Sequence, residues 1–438
     1  MKSHKSRFLL SVIALVFLPL TACDKQKPVL TGQRETFVAL ETRLQPDVSL
    51  AHQTVNITPA MINDNWPQVR GNASHSLGPL QLSNDPKLQW QISLGRGVSN
   101  YQRLLSMVVI EGQRIYGMDA DGLISAIEVH NNSPKVVWQQ STIPHSYSEP
   151  LGGGLAVEAG IVYATTSFGE VLALEGKDGQ VLWRSSVHAP IRTAPTVKDG
   201  RVFVVTISNE TFAFEAKTGA QLWSHAGIAE QAALLGGASP TIADNVIITA
   251  YSSGEVYALQ PENGQVLWSD TLTSAVRIDT VSSIPHIGAC PVIDKGQVFV
   301  VSHGGRMTAI DLKTGVRQWQ RTIGGIHAPT LAGNWLFMLS IQGEVFCLNR
   351  ETGAVRWVAA LPKLAADGDK QPIFWSGPVI ANDQLVFSGS HGQVYFISIK
   401  DGKHTKSLSF SGQSFLEPVI ASQTLYVLND QAELYAWR

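Results

Sequence analysis

One sequence pattern recurs along this chain at intervals close to 45 residues. In each copy, a short run of alternating apolar and polar residues leads through a polar turn with glycine to a tryptophan, most clearly at 169–183 and 254–268. Copies end at Trp138, Trp183, Trp223, Trp268, Trp319 and Trp357, and a seventh copy has Lys406 in this place. The intervals between these ends are 45, 40, 45, 51, 38 and 49 residues. A repeat of this length built from short strands indicates a β-propeller in which each copy forms one blade.

Turn and strand signals subdivide each copy. Apolar residues alternate with polar ones, as at Val171 and Ala173, which predicts strands with one buried face. Glycines mark the hairpin turns: Gly179, Gly219, Gly264, Gly315 and Gly353. Prolines, which are tolerated at a strand's first residue, mark the start of the inner strands: Pro195, Pro240, Pro291, Pro329, Pro378 and Pro418. The tryptophans are interpreted as packing between neighbouring blades, where an aromatic side chain buries ~150–250 Å².

The count of blades comes to eight. Seven hairpins lie within the chain, and an eighth begins at Glu433–Trp437 just before the last residue, Arg438. Near the other end, Lys87–Ser93 has the pattern of a repeat's terminal strand without its predecessor. Pairing these two segments closes the ring and removes two unpaired sheet edges. The sequence therefore predicts an all-β fold, an eight-bladed β-propeller closed by pairing of its N- and C-terminal strands.

The N-terminus has the features of an export signal. Lys2, Lys5 and Arg7 precede the apolar run Phe8–Leu20, which is too short to span a membrane as a mature helix. The next residues, Leu-Thr-Ala-Cys ending at Cys23, resemble the lipobox of bacterial lipoproteins, in which the cysteine becomes the lipidated N-terminus. An ordinary signal peptide with a chance cysteine is the alternative interpretation.

Three segments follow from this organisation. We expect residues 1–22 to form a lipoprotein signal peptide, residues 23–60 a flexible tether lipidated at Cys23, and residues 61–438 the propeller. The tether is inferred from its prolines and from charged and apolar residues without a sustained period. Asp24 directly follows the cysteine, and in some enteric bacteria aspartate there causes retention in the inner membrane. The choice of membrane therefore stays open.

Composition and cysteine count narrow the class of protein. The net charge is −2 and no basic run follows the signal, so nucleic acid is not an expected partner. Besides Cys23 the chain has only Cys290 and Cys347, too few for a disulfide framework. Two buried free thiols are the favoured interpretation, and a disulfide between blades remains open because it depends on geometry.

Signals of catalysis are weak. The chain has no His-Glu-x-x-His, Gly-x-Ser-x-Gly, Cys-x-x-Cys or phosphate-loop motif. His303 and His391 occupy equivalent hairpin turns and are interpreted as solvated turn residues rather than metal ligands. The glycines at 152–154 and 236–237 lie at inner-strand starts, where crowding near the ring axis explains them better than phosphate binding does.

The repeat resembles that of the pyrroloquinoline-quinone (PQQ) dehydrogenases, and Trp66–Asn72 resembles the segment that opens their eight-bladed propellers. In that class the quinone lies against a disulfide between adjacent cysteines, with a calcium ion bound by Glu, Asn and Asp and a catalytic Asp nearby. This chain has no Cys-Cys pair and lacks the long insertions that roof those active sites. The resemblance therefore implies the fold, and we expect no catalytic residue, no cofactor and no metal.

A lipobox, a tether and a PQQ-like repeat without the quinone apparatus together resemble the BamB family. Its members are lipoprotein subunits of the β-barrel outer-membrane assembly machinery. The resemblance covers nearly the whole mature chain and is closest at Arg277–Ser282, Gly304–Trp319 and Glu417–Ala421. It implies a non-catalytic scaffold at the outer membrane, facing the periplasm, that aids the insertion of barrel proteins.

In that family two neighbouring loops on one face contact the periplasmic domains of the central barrel subunit, BamA. Here they correspond to residues 232–237 and 277–288. The residues that the resemblance assigns to partner binding are Ala232, Leu234, Leu235, Gly236, Arg277, Asp279, Ser283 and Pro285. Leu235 stands where the family has arginine, while Ser283 and Pro285 stand where it has acidic residues. The location therefore carries over and the contact chemistry does not, and simple packing beneath the first loop is the alternative.

The resemblance implies three kinds of contact: the BamA-type subunit, nascent barrel proteins held by strand-edge pairing, and the membrane through the lipid. No small-molecule substrate is expected. Two other functions stay open at the level of the sequence. One is a PQQ-dependent periplasmic dehydrogenase, and the other is a scaffold for a different envelope complex.

Overall fold

Eight antiparallel sheets of four strands each build the fold. The structure, a computed structural model, describes residues 44–99, 102–144, 152–230, 233–272, 285–365 and 371–438. Blades 1 to 4 are β2–β5 (Val109–Glu111, Arg114–Met118, Leu123–His130, Ser133–Ser141), β6–β9 (Gly153–Glu158, Ile161–Thr166, Glu170–Glu175, Val181–Ser186), β10–β13 (Thr196–Lys198, Arg201–Val205, Glu210–Glu215, Gln221–Ala226) and β14–β17 (Thr241–Ala243, Val246–Ala250, Glu255–Leu259, Val266–Thr271). Blades 5 to 7 are β18–β21 (Val292–Asp294, Gln297–Val301, Met307–Asp311, Arg317–Arg321), β22–β25 (Thr330–Ala332, Trp335–Leu339, Glu344–Asn349, Val355–Ala360) and β26–β29 (Trp375–Ala381, Gln384–Gly389, Gln393–Ser398, His404–Ser409). Blade 8 joins β30–β32 (Val419–Ala421, Thr424–Leu428, Glu433–Trp437) to β1 (Leu88–Ser93).

The ring closes as the sequence predicts. Strand β1 pairs antiparallel with β32, with Ile92 opposite Leu434 and Ser93 opposite Glu433. Reciprocal backbone hydrogen bonds between Lys87 and Arg438, at 2.9 and 3.0 Å, extend this pairing by one residue. The all-β, eight-bladed propeller closed by its two terminal strands is therefore confirmed. Two short 3₁₀ turns, Val48–Leu50 and Val69–Gly71, precede the first blade, and no helix among the described residues is long and apolar enough to cross a membrane.

Burial differs from the prediction of one buried face per strand. Only the outermost strands follow it, as in β9, where half-buried and exposed residues alternate. The two middle strands of each blade are buried almost throughout, as in β7 and β8 of the same blade. The reason is that neighbouring blades pack face to face, so a middle strand contacts other blades on both sides.

The tryptophans join neighbouring blades, as the sequence predicts. Each of six indole Nε1–H groups donates a hydrogen bond of 2.7–2.9 Å to a backbone carbonyl of the following blade. The pairs are Trp138 with Gly176, Trp183 with Ala216, Trp223 with Pro261, Trp268 with Leu312, Trp319 with Arg350 and Trp357 with Ile399. The indole also covers the hairpin glycine of that blade; a methyl group on Gly219, for example, would lie 2.5 Å from the ring of Trp183. These glycines are therefore needed for contact as well as for their positive φ.

A small residue lies opposite each of these tryptophans on the adjacent strand. It is Ala173 opposite Trp183, for instance, and Cys347 opposite Trp357. The small side chain leaves room for the indole. In blade 7, Lys406 has replaced tryptophan and Phe396 stands opposite it, with the ammonium 4.7 Å from the centre of the phenyl ring. The volume of the missing indole is thus supplied from the other strand.

The prolines mark the inner strands with one exception. Five inner strands begin one residue after the proline, as β10 does after Pro195. In blade 7, Pro378 lies inside β26, next to a register shift between Ser376 and Val379. Proline is accommodated there because the shift releases it from the ladder of hydrogen bonds.

A single segment, residues 63–82, closes one end of the channel, and we call it the plug. It contacts the inner strands of all eight blades. The backbones of Trp66 and Ile110 exchange two hydrogen bonds in blade 1, and the side-chain amide of Gln68 does the same with Val197 in blade 3. Other contacts reach Val157, Ile242, Ile293, Pro329, Ile380 and Ile420, one in each remaining blade. Because a segment of this length meets every inner strand, it must cross the ring axis.

Residues 44–60, placed in the tether from the sequence, lie against blade 6. The backbone N–H of Asp47 donates to the carbonyl of Val355 at 2.7 Å, and the Nε–H of Arg356 donates to the carbonyl of Gln53 at 2.7 Å. Leu50 is buried in the apolar cluster shared by blades 6 and 7. We call this stretch the strap; it approaches the ring on the same face as the plug.

Removing one indole should weaken one joint of the ring. We expect Trp268→Ala to lower the free energy of unfolding by ~3–5 kcal/mol, because it leaves a cavity over Gly315 and an unpaired carbonyl at Leu312. Its neighbour Leu267 is 45% exposed, so Leu267→Ala should change the value by less than ~0.5 kcal/mol. Denaturant unfolding, monitored by far-UV circular dichroism rather than by tryptophan fluorescence, measures the free energy of unfolding of both variants. Equal effects of the two substitutions would contradict a joint carried by the indole.

Candidate functional site

The end of the channel opposite the plug is an open cavity of about 920 Å³, which we call the axial cavity. Val69 and Arg70 of the plug form its floor. Its walls are the starts of the inner strands, including Ala194, Ser239 and Ala328, because the inner strand of each blade begins at this end. The loops that enter the blades form its mouth.

The first predicted docking loop lies at this mouth. Leu234, Leu235 and Gly236 line the cavity just before blade 4. Leu234 is half-buried and Leu235 is 48% exposed. The described end of the second loop, from half-buried Pro285 to Gly288, leads into the adjacent blade 5, and its His286 and Gly288 line the same cavity. The structure therefore brings these parts of the two loops to one edge of one cavity.

Five of the residues assigned from the sequence lie outside the described residues. They are the lipidation site Cys23 and the partner-binding residues Ala232, Arg277, Asp279 and Ser283. Their roles stay predictions.

Gly236 is required for a different reason from the one that the sequence predicts. Crowding at the axis explains Gly154, where an added methyl group would lie 2.5 Å from Ala194. It does not explain Gly236, where, apart from its chain neighbours, no atom of the described residues lies within 4 Å of that position. Gly236 instead has a φ of +97°, which glycine adopts at little cost, so the backbone turn of the loop requires it. The loop tip is consequently open to a partner.

An ion pair stands at the bottom of the cavity. Arg70 and Glu417 approach to 2.5 Å, with side chains only 6% and 10% exposed. The Arg70 guanidinium also donates to the carbonyls of Pro329 at 2.9 Å and Pro378 at 3.3 Å. It therefore links the plug to blades 6, 7 and 8.

Opposing effects act on the pKa of Glu417. Burial alone raises it, but the charge of Arg70 and the hydrogen bond from His327, whose Nδ1 is 3.5 Å away, together lower it to about 2. Glu417 is therefore ionised at neutral pH. The carboxylate compensates the Arg70 charge at the cavity floor.

Two histidines and a cysteine contribute to the wall on the side of blade 5. Burial and the neighbouring His303 lower the pKa of His286 to about 4, so its imidazole is neutral. His303, expected to be a solvated turn residue, is half-buried and lines the cavity. Cys290 and Cys347 are both free thiols, as favoured from the sequence; Cys347 is buried as expected, whereas Cys290 is only half-buried. Burial raises the pKa of Cys290 to about 11, so this thiol is protonated and a poor nucleophile.

Exposed apolar side chains are frequent on this face of the ring. They lie in the loops that enter the blades and in the turns between middle strands: Val98, Ile207, Ile228, Leu235, Ile326, Ile341, Leu364, Phe374 and Phe415. Phe374 and Phe415 stand 6.3 Å apart between ring centres, on neighbouring loops. Exposed apolar residues concentrated on one face mark an interaction surface more strongly than scattered ones do.

No group of three or more His, Cys, Asp or Glu side chains able to hold a metal ion occurs within the described part of the chain. The residues that sequence reasoning missed are those of the floor. Arg70 belongs to the Trp66–Asn72 segment, whose sequence indicates only the family resemblance. Glu417 precedes a proline that indicates only the start of a strand. No local signal connects two residues 347 positions apart.

The ion pair should make stability depend on pH. The pKa of Glu417 lies below its unfolded value, so its contribution is complete above about pH 5 and is lost as the pH falls toward 2. We expect Glu417→Gln to cost about 3 kcal/mol at pH 7 and progressively less at lower pH. Denaturant unfolding of both proteins at pH 7, 5, 4 and 3 measures this. The exposed Glu262→Gln is the matched control, and a Glu417→Gln effect that does not change with pH would contradict the assignment.

Comparison with known proteins agrees with this geometry. The sequence model of the family described as outer membrane protein assembly factor BamB matches residues 120–359, more than half of the chain. BamB of Escherichia coli (strain K12) is 28% identical over 357 residues, which cover 80% of this chain and 88% of that protein. BamB of Salmonella typhimurium (strain LT2) is 27% identical over 369 residues, covering 82% and 91%.

Solved structures show the same fold. BamB from Moraxella catarrhalis superposes with a TM-score of 0.67 at 16% identity, covering 81% of this chain and 100% of that one. A europium-containing methanol dehydrogenase superposes with a TM-score of 0.65 at 14% identity, covering 83% and 89%. At such identities the likeness concerns the fold alone, and the family is shown by the sequence match. This chain belongs to the family of outer membrane protein assembly factor BamB.

Proposed function

We propose that the protein is a lipid-anchored, non-catalytic scaffold of the β-barrel outer-membrane assembly complex. In this role it docks through the two loops at the axial cavity on the periplasmic domains of the central, BamA-type barrel subunit, and it aids the insertion of barrel proteins. Membership in the BamB family supports a role in outer-membrane protein assembly. The position of Leu234, Leu235 and Gly236 on the exposed rim supports the place of contact.

The observation that carries the proposal is the exposure of Leu235 beside half-buried Leu234 at an otherwise open loop tip. If the loop served only to cover the blade beneath it, both leucines would point into the fold. An exposed leucine flanked by a partly covered one forms an apolar anchor that a partner can bury. The pair can then be removed without opening the core.

Ile228 is a further exposed apolar residue. It lies on the same connection between blades 3 and 4 as the leucines. Apolar contacts at the centre of an interface contribute most of the binding energy, while the polar rim contributes specificity. Because position 235 is leucine rather than arginine, we expect the contact with the partner to rely on apolar packing rather than on charge pairing.

Nascent barrel strands are the second class of partner in this proposal. Each outermost strand has one edge not paired within its blade, as β9 and β13 do. An extended segment can add to such an edge through backbone hydrogen bonds, independently of its sequence. This would suit substrates that share a strand pattern rather than a sequence motif.

The quinoprotein alternative rests on the shared fold only. Its adjacent cysteines have no counterpart in this sequence, and the bottom of the cavity is occupied by a buried ion pair between Arg70 of the plug and Glu417 of blade 8. A scaffold for another envelope complex differs from our proposal only in the partner recovered, which the next experiment identifies.

Charging the apolar loop should release the partner. We expect Leu234→Asp with Leu235→Asp to abolish co-purification of the central barrel subunit, because two carboxylates cannot be buried unpaired in an interface. The measurement is affinity purification of the tagged, full-length protein from gently solubilised envelopes, with partners identified by mass spectrometry.

A matched pair of changes controls for folding and surface charge. Leu222 and Leu267 are also exposed, but on the outermost strands of blades 3 and 4, so Leu222→Asp with Leu267→Asp should leave the complex intact. Survival of the complex in the loop variant would exclude this docking site. Recovery of a different partner by the unaltered protein would favour the scaffold for another complex.

The lipid anchor is tested at Cys23. We expect the protein to incorporate labelled palmitate in growing cells and Cys23→Ser to incorporate none, because the cysteine is the acceptor of the acyl chains. Cys290→Ser removes a thiol elsewhere and should label normally. Label in the Cys23→Ser protein, or none in the unaltered protein, would refute lipidation at this residue.

A further inference from the structure

The axial cavity has the dimensions of a ligand-binding site. Its volume, about 920 Å³, lies within the ~300–1,000 Å³ typical of sites for small organic molecules. The plug closes it from below, so a molecule that enters from the open face cannot pass through. The ring thus forms a cup, and docking of a partner at one edge of the mouth does not account for its depth.

The lining of the cavity is mainly apolar. Aliphatic and aromatic side chains surround the mouth and upper wall: Leu104, Leu105, Leu155, Leu234, Ile326 and Phe415. They come from loops and strands of several different blades, so the apolar surface continues around the cavity. Such a wall binds a hydrophobic body without regard to its detailed shape.

The charges in the lining do not balance. At the floor, Arg70 and Glu417 neutralise each other at 2.5 Å. Higher up, Arg192 and Arg103 are positive, and among the described residues neither forms an ion pair. Asp430 is the remaining carboxylate of the lining, and it accepts hydrogen bonds from the backbone at Gln413. The described lining therefore carries one net positive charge.

Arg192 is the better placed of the two arginines. Arg103 is exposed, and its guanidinium donates to the backbone carbonyl of Gln102 at 3.0 Å. Arg192 is half-buried, and its Nε–H, which solvent cannot reach, has no hydrogen-bond acceptor among the described residues. A partly desolvated guanidinium without a counter-ion is unfavourable, and an anion in the cavity, bound at the part of the Arg192 side chain that remains accessible, would relieve that cost.

We propose that the axial cavity binds an apolar monoanion, with its acidic group on Arg192 and its hydrophobic body against the leucines, Ile326 and Phe415. The ligand class is a carboxylate or sulfonate on an aliphatic or aromatic body. Two natural sources share this chemistry: a free fatty acid, and the C-terminal carboxylate of a polypeptide that ends in apolar residues. Guanidinium and carboxylate form charge-assisted hydrogen bonds, which are stronger in a low-dielectric cup than in open water.

Two dyes that differ only in charge test the proposal. The fluorophore 8-anilinonaphthalene-1-sulfonate is an apolar monoanion, and N-phenyl-1-naphthylamine is the same body without the sulfonate. We expect the full-length protein to bind the sulfonate saturably at one site, and to bind the neutral dye about tenfold more weakly. Fluorescence titration measures both. Equal affinity for the two dyes, or no saturable binding of the sulfonate, would overturn the proposal without any substitution.

A matched pair of variants locates the site. Arg192→Gln should weaken binding of the sulfonate about tenfold and leave the neutral dye unchanged. Arg201→Gln removes a positive charge at a turn on the plug face of blade 3 and should change neither. Unchanged binding of the sulfonate by Arg192→Gln would place the dye elsewhere and refute the site.

Competition distinguishes the sources of the ligand. Displacement of the dye by oleate, and not by a hexapeptide with an apolar C-terminus, identifies the fatty acid. Displacement by the peptide but not by its C-terminal amide identifies the polypeptide. Failure of both to compete would refute the carboxylate class. Co-purification of the barrel subunit should be unaffected by Arg192→Gln, so this proposal and the docking proposal can fail separately.

Discussion

The contact of each indole with the next blade is the interaction on which the rest of the structure depends. A four-stranded antiparallel sheet presents two faces, and each must be covered by another sheet. The tryptophan Nε1–H, held at 2.7–2.9 Å from a carbonyl across the joint, sets the offset between one blade and the next. Repeating the same offset around an axis leads back to the first blade. The ring then closes only if a strand from the N-terminus completes blade 8, as β1 does.

The plug makes a ring of similar blades into a cup with distinct ends. A chain of near-identical repeats has no intrinsic reason to position one blade differently from another. The plug supplies that difference, because different residues along it contact different blades. Arg70 has the largest effect, since it reaches three blades and its charge is balanced by Glu417 alone. The described parts of both predicted loops and the proposed ligand site lie on the end that the plug leaves open.

The sequence predicts the repeated part of the molecule well and the unique part poorly. Blade number, ring closure and the role of the tryptophans could all be derived, because each appears several times and the copies support each other. In blade 7 the sequence alone shows only that Lys406 replaces a tryptophan. That Phe396 compensates for it follows from the pairing of the two strands, which places these residues opposite each other. The sequence of the plug has no repeating pattern, so it does not indicate this segment's structure. Its conformation is fixed by hydrogen bonds to residues in all eight blades. The same holds for the residues of the cavity. The family resemblance indicates Leu234 and Leu235, whereas Arg192 and the Arg70–Glu417 pair cannot be predicted because they depend on contacts between distant blades.

The strap has a consequence for the end of the ring at which the described chain begins. Its first described residue, Leu44, packs beside blades 5 and 6, and the chain continues over the plug face to the axis. The described chain therefore begins on the plug face, while the axial cavity and its apolar loops lie at the other end of the ring. Twenty residues lie between Cys23 and Leu44 in the sequence, and the twenty-one steps that join these two residues could span at most about 70 Å.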